Sequence, residues 1–135
     1  MTNMKEQTLA LIKPDAVQKR SFGLIIHDIL EAGYDIHALK MLQLSRDMAE
    51  AFYAVHKEKE FYAPLVDFMI SGPVIALVLE KEHAVADLRE LMGKTDARLA
   101  EKGTLRQKYG ENNRRNAIHG SDSPENAKKE IAFFF

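Results

Sequence analysis

Hydrophobic positions along the chain follow two spacings in turn, and the changes between them mark the elements. Residues 7–13 form a short, nearly continuous apolar run that Pro14-Asp15 stops, the pattern of a buried strand. Phe22, Ile25, Ile26, Ile29 and Leu30 then follow the i, i+3, i+4, i+7, i+8 spacing of a helix face, with Ser21 as candidate N-cap and Gly33 at C′. Residues 35–44 read as a second strand with less clean alternation. Ser45 is placed to cap a helix running to about Val55. Residues 61–70 predict a further helix with Pro64 in its first turn, broken by Ser71-Gly72-Pro73. The run 73–79 is apolar enough for a central, covered strand. Residues 83–92 put Ala84, Val85, Leu88 and Met92 on one stripe before Gly93. Residues 94–109 show no clear period and predict a long loop, which in a compact domain is usually functional. Residues 117–119 are a candidate fourth strand. Ser123-Pro124-Glu125 opens the last helix with a hydroxyl at N-cap, proline at N1 and an acid in the first turn. Its stripe is Ala127, Ile131 and Phe134.

Strands therefore alternate with helices. This pattern permits either a parallel α/β sheet or an antiparallel α+β sandwich and does not separate them. A length of 135 residues predicts one domain, and 46% apolar residues suffice for a full core. A net charge of −1 supplies no basic field for a nucleic acid backbone. The absence of cysteine excludes disulfides, thiolate metal sites and a cysteine nucleophile, and is compatible with a cytoplasmic location. No signal peptide is expected at the N-terminus, and the longest apolar run is too short to span a bilayer.

Candidate chemistry narrows to one histidine. None of His27, His37, His56, His83 and His119 has metal-ligand spacing. Only His119 stands among small residues, Gly120-Ser121-Asp122-Ser123, where a large ligand has room to approach. A partly buried structural histidine is the competing reading. Arg89 and Arg106 flank the long loop, Thr95 and Thr104 lie within it, and Lys13 ends the first strand. Cations and hydroxyls at element ends suit phosphate. The chain carries no phosphate-binding P-loop and no protein-kinase signature set. A histidine nucleophile supplies another route, since an imidazole nitrogen attacks phosphorus, holds the phosphoryl group covalently and passes it on.

The stretch Asn116-Ala-Ile-His119-Gly-Ser-Asp-Ser123 resembles the N-x-x-H-G-S-D signature of the nucleoside diphosphate kinases. Thr8 to Val17 with Ile-Lys13-Pro-Asp-Ala, Phe52-Tyr53-Ala-Val-His56, Phe61, Ser71-Gly-Pro73-Val, Leu91-Met-Gly-Lys-Thr95, Gly103-Thr-Leu-Arg106 and Lys129-Glu130-Ile fall in family order, so the resemblance spans nearly the whole chain. It implies an α/β fold of the ferredoxin-like α+β sandwich kind, a four-stranded antiparallel sheet covered by helices. It implies a single domain over residues 1–135. It implies transfer of the γ-phosphate of a nucleoside triphosphate to a nucleoside diphosphate by a ping-pong path, with broad base specificity. His119 resembles the phosphorylated histidine, Glu130 the carboxylate that fixes its tautomer, and Ser121 the hydroxyl near both. Lys13 and Asn116 match groups that bind the sugar 3′-hydroxyl, with Lys13 also near the moving phosphate. Tyr53 matches a tyrosine beside the histidine, and Phe61 the ring on which the base stacks. Arg89, Thr95 and Arg106 match the phosphate clamp. Asp122 resembles a residue near Mg²⁺, the cofactor, which is held mainly by the nucleotide phosphates. The partners implied are nucleotides such as ATP and GDP and further copies of the chain, in a tetramer or hexamer built from dimers. No membrane and no specific nucleic acid is implied.

The sequence also departs from the family. Asn113 stands where relatives often place an apolar residue facing the base, and Leu65 remains as an apolar wall. Residues 96–102 contain no proline in a loop that helps hold trimers in the family, and residues 57–60 lack the usual Arg-Pro before Phe61. The longer tail of many relatives is not expected beyond Phe135. A catalytically dead nucleotide-binding module would keep Phe61 and the arginine clamp but lack turnover. A nucleic-acid binder is pointed to only by Arg114-Arg115, expected as surface residues, and the aromatics.

Overall fold

The computed structural model describes residues 5–135. Its strands are β1 (Lys5–Ile12), β2 (Asp35–Leu42), β3 (Val74–Glu82) and β4 (Ile118–Gly120). Its helices are α1 (Pro14–Gln18), α2 (Phe22–Glu31), α3 (Arg46–Phe52), α4 (Tyr62–Met69), α5 (Ala84–Met92), α6 (Leu105–Tyr109) and α7 (Pro124–Phe134). The strands form one four-stranded sheet in the order β2-β3-β1-β4, antiparallel at every pairing. That is the α+β alternative, with the ferredoxin-like architecture.

The period-2 side-chain alternation of β1 explains the layers. Ala10 and Ile12 face a core completed by Ile25 and Ile29 of α2, Leu88 and Met92 of α5, and Leu105 of α6. Leu9 and Leu11 face the opposite core, with Ala49 of α3, Val66 and Met69 of α4, and Phe134 of α7. Both faces of β1 and β3 are thus covered, which is why their sequences run apolar almost without interruption. Among the described residues, no helix is long and apolar enough to cross a membrane.

Several expectations need correction. Pro14-Asp15 ends β1 but also opens α1, because proline is tolerated at N1, where the N–H has no intrahelical partner. Ser21 occupies the N-cap position of α2, yet its side chain makes no capping hydrogen bond. Leu30 is exposed, since it lies one residue, about 100°, round the helix from the buried Ile29. The helix after Ser45 ends at Phe52 and is followed by a 3₁₀ turn, Ala54–His56. The segment 94–109 is not wholly a loop: it holds a 3₁₀ turn, Ala97–Leu99, and α6. Both are too short to display a hydrophobic period. Each is capped, Asp96 accepting from Arg98 N–H and Thr104 from Gln107 N–H.

Candidate active site

β4 is short, but antiparallel pairing with β1 sets Leu11 opposite His119 and Ile12 opposite Ile118. Lys13, the next residue of the first segment, lies beside the start of β4, and its N–H donates to Ala117 O at 2.8 Å. Gly120 lets β4 approach α5: a Cβ there would lie 2.8 Å from Met92 Cε. His119 is half-buried at the centre of β4. Ser123 turns the chain into α7, its hydroxyl accepting from Asn126 N–H. One face of α7 returns Glu130 to the histidine.

Glu130 Oε1 lies 2.9 Å from His119 Nε2 and accepts a 2.7 Å hydrogen bond from Ser121 Oγ. Ser121 is fully buried behind the carboxylate. With the proton on Nε2 and donated to Glu130, the Nδ1 lone pair is left for chemistry. Phe52 packs its ring edge-on to the imidazole, 5.3 Å between centroids, and Tyr53 does so at 6.5 Å. Tyr53 is buried, and burial together with the Glu130 charge pushes its phenol up, so it is a neutral neighbour.

His119 and Glu130 open on a cavity of about 580 Å³. It is lined by the cationic and polar Lys13, Arg89, Thr95, Arg106, Asn116 and Asp122, and by Phe61, Leu65, His56 and Asn113. Arg106 is buried. Its Nη1 donates to Gly93 O at 3.0 Å and its Nη2 to Ile118 O at 2.9 Å, so the same side chain ties α6 to β4. Burial and the nearby Arg89 pull its guanidinium down to about 10. Burial, then Arg106, holds the Lys13 ammonium down to about 7. Cations crowded this way, each held below its ordinary value, suit a polyanionic ligand. Asn116 Nδ2 donates to Thr95 O at 3.0 Å, while its Oδ1 is buried without a partner among the described residues. Asp122 is exposed, and hydrogen bonding from Asn126, with Arg89 nearby, holds it below the usual carboxylate range.

The structure therefore gathers Lys13, Tyr53, Phe61, Arg89, Thr95, Arg106, Asn116, His119, Asp122 and Glu130 round one cavity, with Ser121 behind Glu130. Thr104 is not among them, because its hydroxyl is used to cap α6. Arg114 is exposed, as expected, and also lines the cavity, while Arg115 is half-buried and pairs with Glu111 at 3.0 Å. Phe52 and His56 also belong to the site. Phe52 reads in sequence as one more apolar helix position, and His56 follows the end of α3 in a 3₁₀ turn that no period announces. His56 packs 5.2 Å from the Phe61 ring.

The donor set also tests for a metal. No group of three or more His, Asp or Glu residues among the described ones is placed to hold an ion by itself. Of the two carboxylates lining the cavity, Glu130 is engaged with His119 and Ser121, and the remaining one, Asp122, fits an ion carried in on phosphate oxygens, the usual habit of Mg²⁺.

Residues 6–135 match the family model described as nucleoside diphosphate kinase. A nucleoside diphosphate kinase of Wolinella succinogenes is 58% identical over 130 residues, covering 96% of this chain and 95% of that protein. One from Actinobacillus pleuropneumoniae serotype 5b is 54% identical over 132 residues, covering 98% and 96%. The crystal structure of the Aquifex aeolicus nucleoside diphosphate kinase superimposes with a TM-score of 0.95 at 44% identity, covering 98% of this chain and 96% of that one. That of a halophilic nucleoside diphosphate kinase from Halobacterium salinarum, in complex with CDP, gives 0.94 at 39% identity, covering 98% and 88%. The chain belongs to the nucleoside diphosphate kinase family, enzymes that pass a phosphoryl group from a nucleoside triphosphate to a nucleoside diphosphate.

Proposed function

We propose that the enzyme works by a ping-pong path through Nδ1 of His119, the pros nitrogen. The observation that carries this is the 2.9 Å contact of Nε2 with Glu130, which leaves Nδ1 as the free nitrogen of a histidine that lines the cationic cavity. The Nδ1 lone pair attacks the γ-phosphorus, the N–P bond forms, and the β,γ-bridging oxygen leaves with its electron pair as the diphosphate. Glu130 balances the positive charge that the ring gains. A second diphosphate then attacks phospho-His119 by the reverse of the same step. The exchange is nearly neutral in free energy, so the enzyme's task is positioning and charge stabilisation.

Each cation has a role. Arg89, Arg106 and Thr95 bind the phosphates. Lys13 and Asn116 bind the sugar 3′-hydroxyl, and Lys13 also faces the moving group. Tyr53 and Phe52 pack edge-on against the ring of His119 and hold it in place. Asp122 is the carboxylate that would help hold Mg²⁺. When bound, that ion neutralises phosphate charge. Phe61 offers a ring face for any base, so specificity is broad and the enzyme maintains the NTP and dNTP pools.

Residues 1–135 act as a single domain of this kind, in the cytoplasm, as a homo-oligomer of dimers, tetramer or hexamer. Support for assembly comes from the sheet edge β2 and from the exposed Leu24, Leu39, Met41 and Leu99.

The test is acceptor-free labelling. The chain and a His119→Ala variant are incubated with γ-labelled ATP and Mg²⁺, and unlabelled GDP is then added. Acid-labile, alkali-stable label on the wild type alone, released as labelled GTP, is the expected result. Bound nucleotide with no covalent label overturns the proposal and leaves a binding module.

A further inference from the structure

A tight turn leads into β4. Ile118 N–H donates to Asn116 O at 2.9 Å, closing a three-residue turn round Ala117, whose φ is +74°. This is the γ-turn that residues with a Cβ rarely adopt. Ala117 is also fully buried, so its polar groups need partners within the protein. A strained, buried alanine persists only where its surroundings hold it. Two contacts do so. Lys13 N–H donates to Ala117 O at 2.8 Å, and Ala117 N–H donates to Asp15 Oδ2 at 3.1 Å. On either side of the turn, Asn116 and His119 enter the cavity.

Asp15 is an expensive choice for this contact. It is fully buried, and Oδ1 has no hydrogen-bond partner among the described residues. Burial pushes its carboxyl up, against the opposing pull of Lys13, the Ala117 N–H, Arg115 and Lys19. Holding one N–H needs only a neutral acceptor, and a half-partnered buried carboxylate costs stability. The charge has a further use. Lys13 faces Arg106 and Arg114, both of which lower it, and Asp15 is the anion that pushes it up.

We propose that Asp15 is a positioning residue for phosphoryl transfer: it holds the left-handed turn at Ala117 and thereby aims Asn116 and His119 at the nucleotide. Its charge also helps Lys13 keep its proton. Asp15 does not line the cavity and acts through these neighbours. The inference rests on the phosphohistidine reading of His119.

Single-turnover labelling by γ-labelled ATP with Mg²⁺ tests it, alongside nucleotide Kd. Asp15→Ala is expected to slow labelling about 10- to 100-fold, as loss of an orienting contact does. Nucleotide Kd should change by less than about threefold, because Phe61 and Arg89 lie off the turn. Glycine adopts positive φ without strain, so in an Ala117→Gly background the same substitution should cost no more than about threefold. Asp15→Asn keeps an acceptor oxygen and loses the charge. It should label near the wild-type rate well below about pH 7 and fall behind as pH rises towards about 7, because its Lys13 sheds the proton earlier; above about 7 the wild type loses the same proton and the deficit stops growing. Wild-type labelling by Asp15→Ala, an undiminished cost in the Ala117→Gly background, or an Asp15→Asn variant already slow at low pH overturns the inference. Should Asp15→Ala not fold, the Asp15→Asn pH profile decides alone. A wild-type chain that takes no label overturns the phosphohistidine reading and this inference together. Labelled wild type with an unaffected Asp15→Ala overturns this inference alone.

Discussion

Lys13 carries the site's electrostatic tension at one atom. Its ammonium is buried beside the buried Arg106, with the exposed Arg114 also near, and burial dominates in holding it down to about 7. In the unfolded chain it keeps its proton up to an ordinary lysine value. Between those two values the unfolded state binds more protons, so stability rises with pH across that window. Below about 7 both states are protonated and the full cost of the buried charge is present. Lys13→Met removes the charge. It should be more stable than wild type at about pH 6, on the order of a few kcal/mol, with the gap closing towards about pH 9 to 10. Urea denaturation at several pH values checks this, and a gap independent of pH would refute it. Activity should fall by roughly two orders of magnitude, since a preorganised charge on the moving phosphate is lost. His119 was legible because small residues flank it within a specific motif. Asp15 was not, because its work is to accept one backbone N–H from residue 117, a contact that exists only once β1 and β4 pair.

At the scale of elements, α6 shows what periodicity misses. Five residues cannot display a 3.6-residue repeat, and the helix is fixed instead by Thr104 at its N-cap and by bonds to α2, Lys108 Nζ and Tyr109 OH both donating to Asp28. Through it Arg106 reaches Gly93 O and Ile118 O. Gly93 is the pivot, with φ +84° and no room for a methyl: a Cβ would lie 2.6 Å from Thr104 Oγ1 and 2.7 Å from Thr104 Cβ. Gly93→Ala combines a positive-φ penalty with overpacking, together about 2–4 kcal/mol. Tm should drop by roughly 6 °C or more. Nucleotide Kd should rise several-fold, because the carbonyl that holds Arg106 shifts. Thermal melts with and without ADP check both, and a melting point within about 1 °C of wild type would contradict the packing account. The long helices and central strands were legible, because α2, α5 and α7 bury clear stripes and β3 is covered on both faces. Sheet direction was not legible, since a strand's apolar run is the same whichever way its neighbour points.

For the whole molecule, the surface left over by one chain is informative. β2 is an edge strand, and Leu39 and Met41 on it are 49% and 52% exposed. Their cross-strand partners, Leu77 and Ile75, belong to the core that α2 covers, so the two side chains lie on the α2 side of the sheet. On α2 itself, Leu24 and Leu30 are exposed as well. An unprotected edge with apolar side chains is a template for pairing, and soluble proteins seldom leave one open. A second copy meeting β2 to β2 about a twofold axis would extend the sheet and cover those positions on both chains. Replacing Leu39 and Met41 by lysine puts like charges face to face across that axis and opposes edge pairing. Sedimentation should show wild type as a tetramer or hexamer and the double variant as smaller particles with a lower Tm. No β2 residue lines the cavity, so the smaller particles should still take label from γ-labelled ATP on His119. Wild type sedimenting as a monomer, or a double variant of unchanged size, would remove β2 from the assembly and leave the proline-free segment at residues 96–102, with Leu99 exposed, as the surface to test.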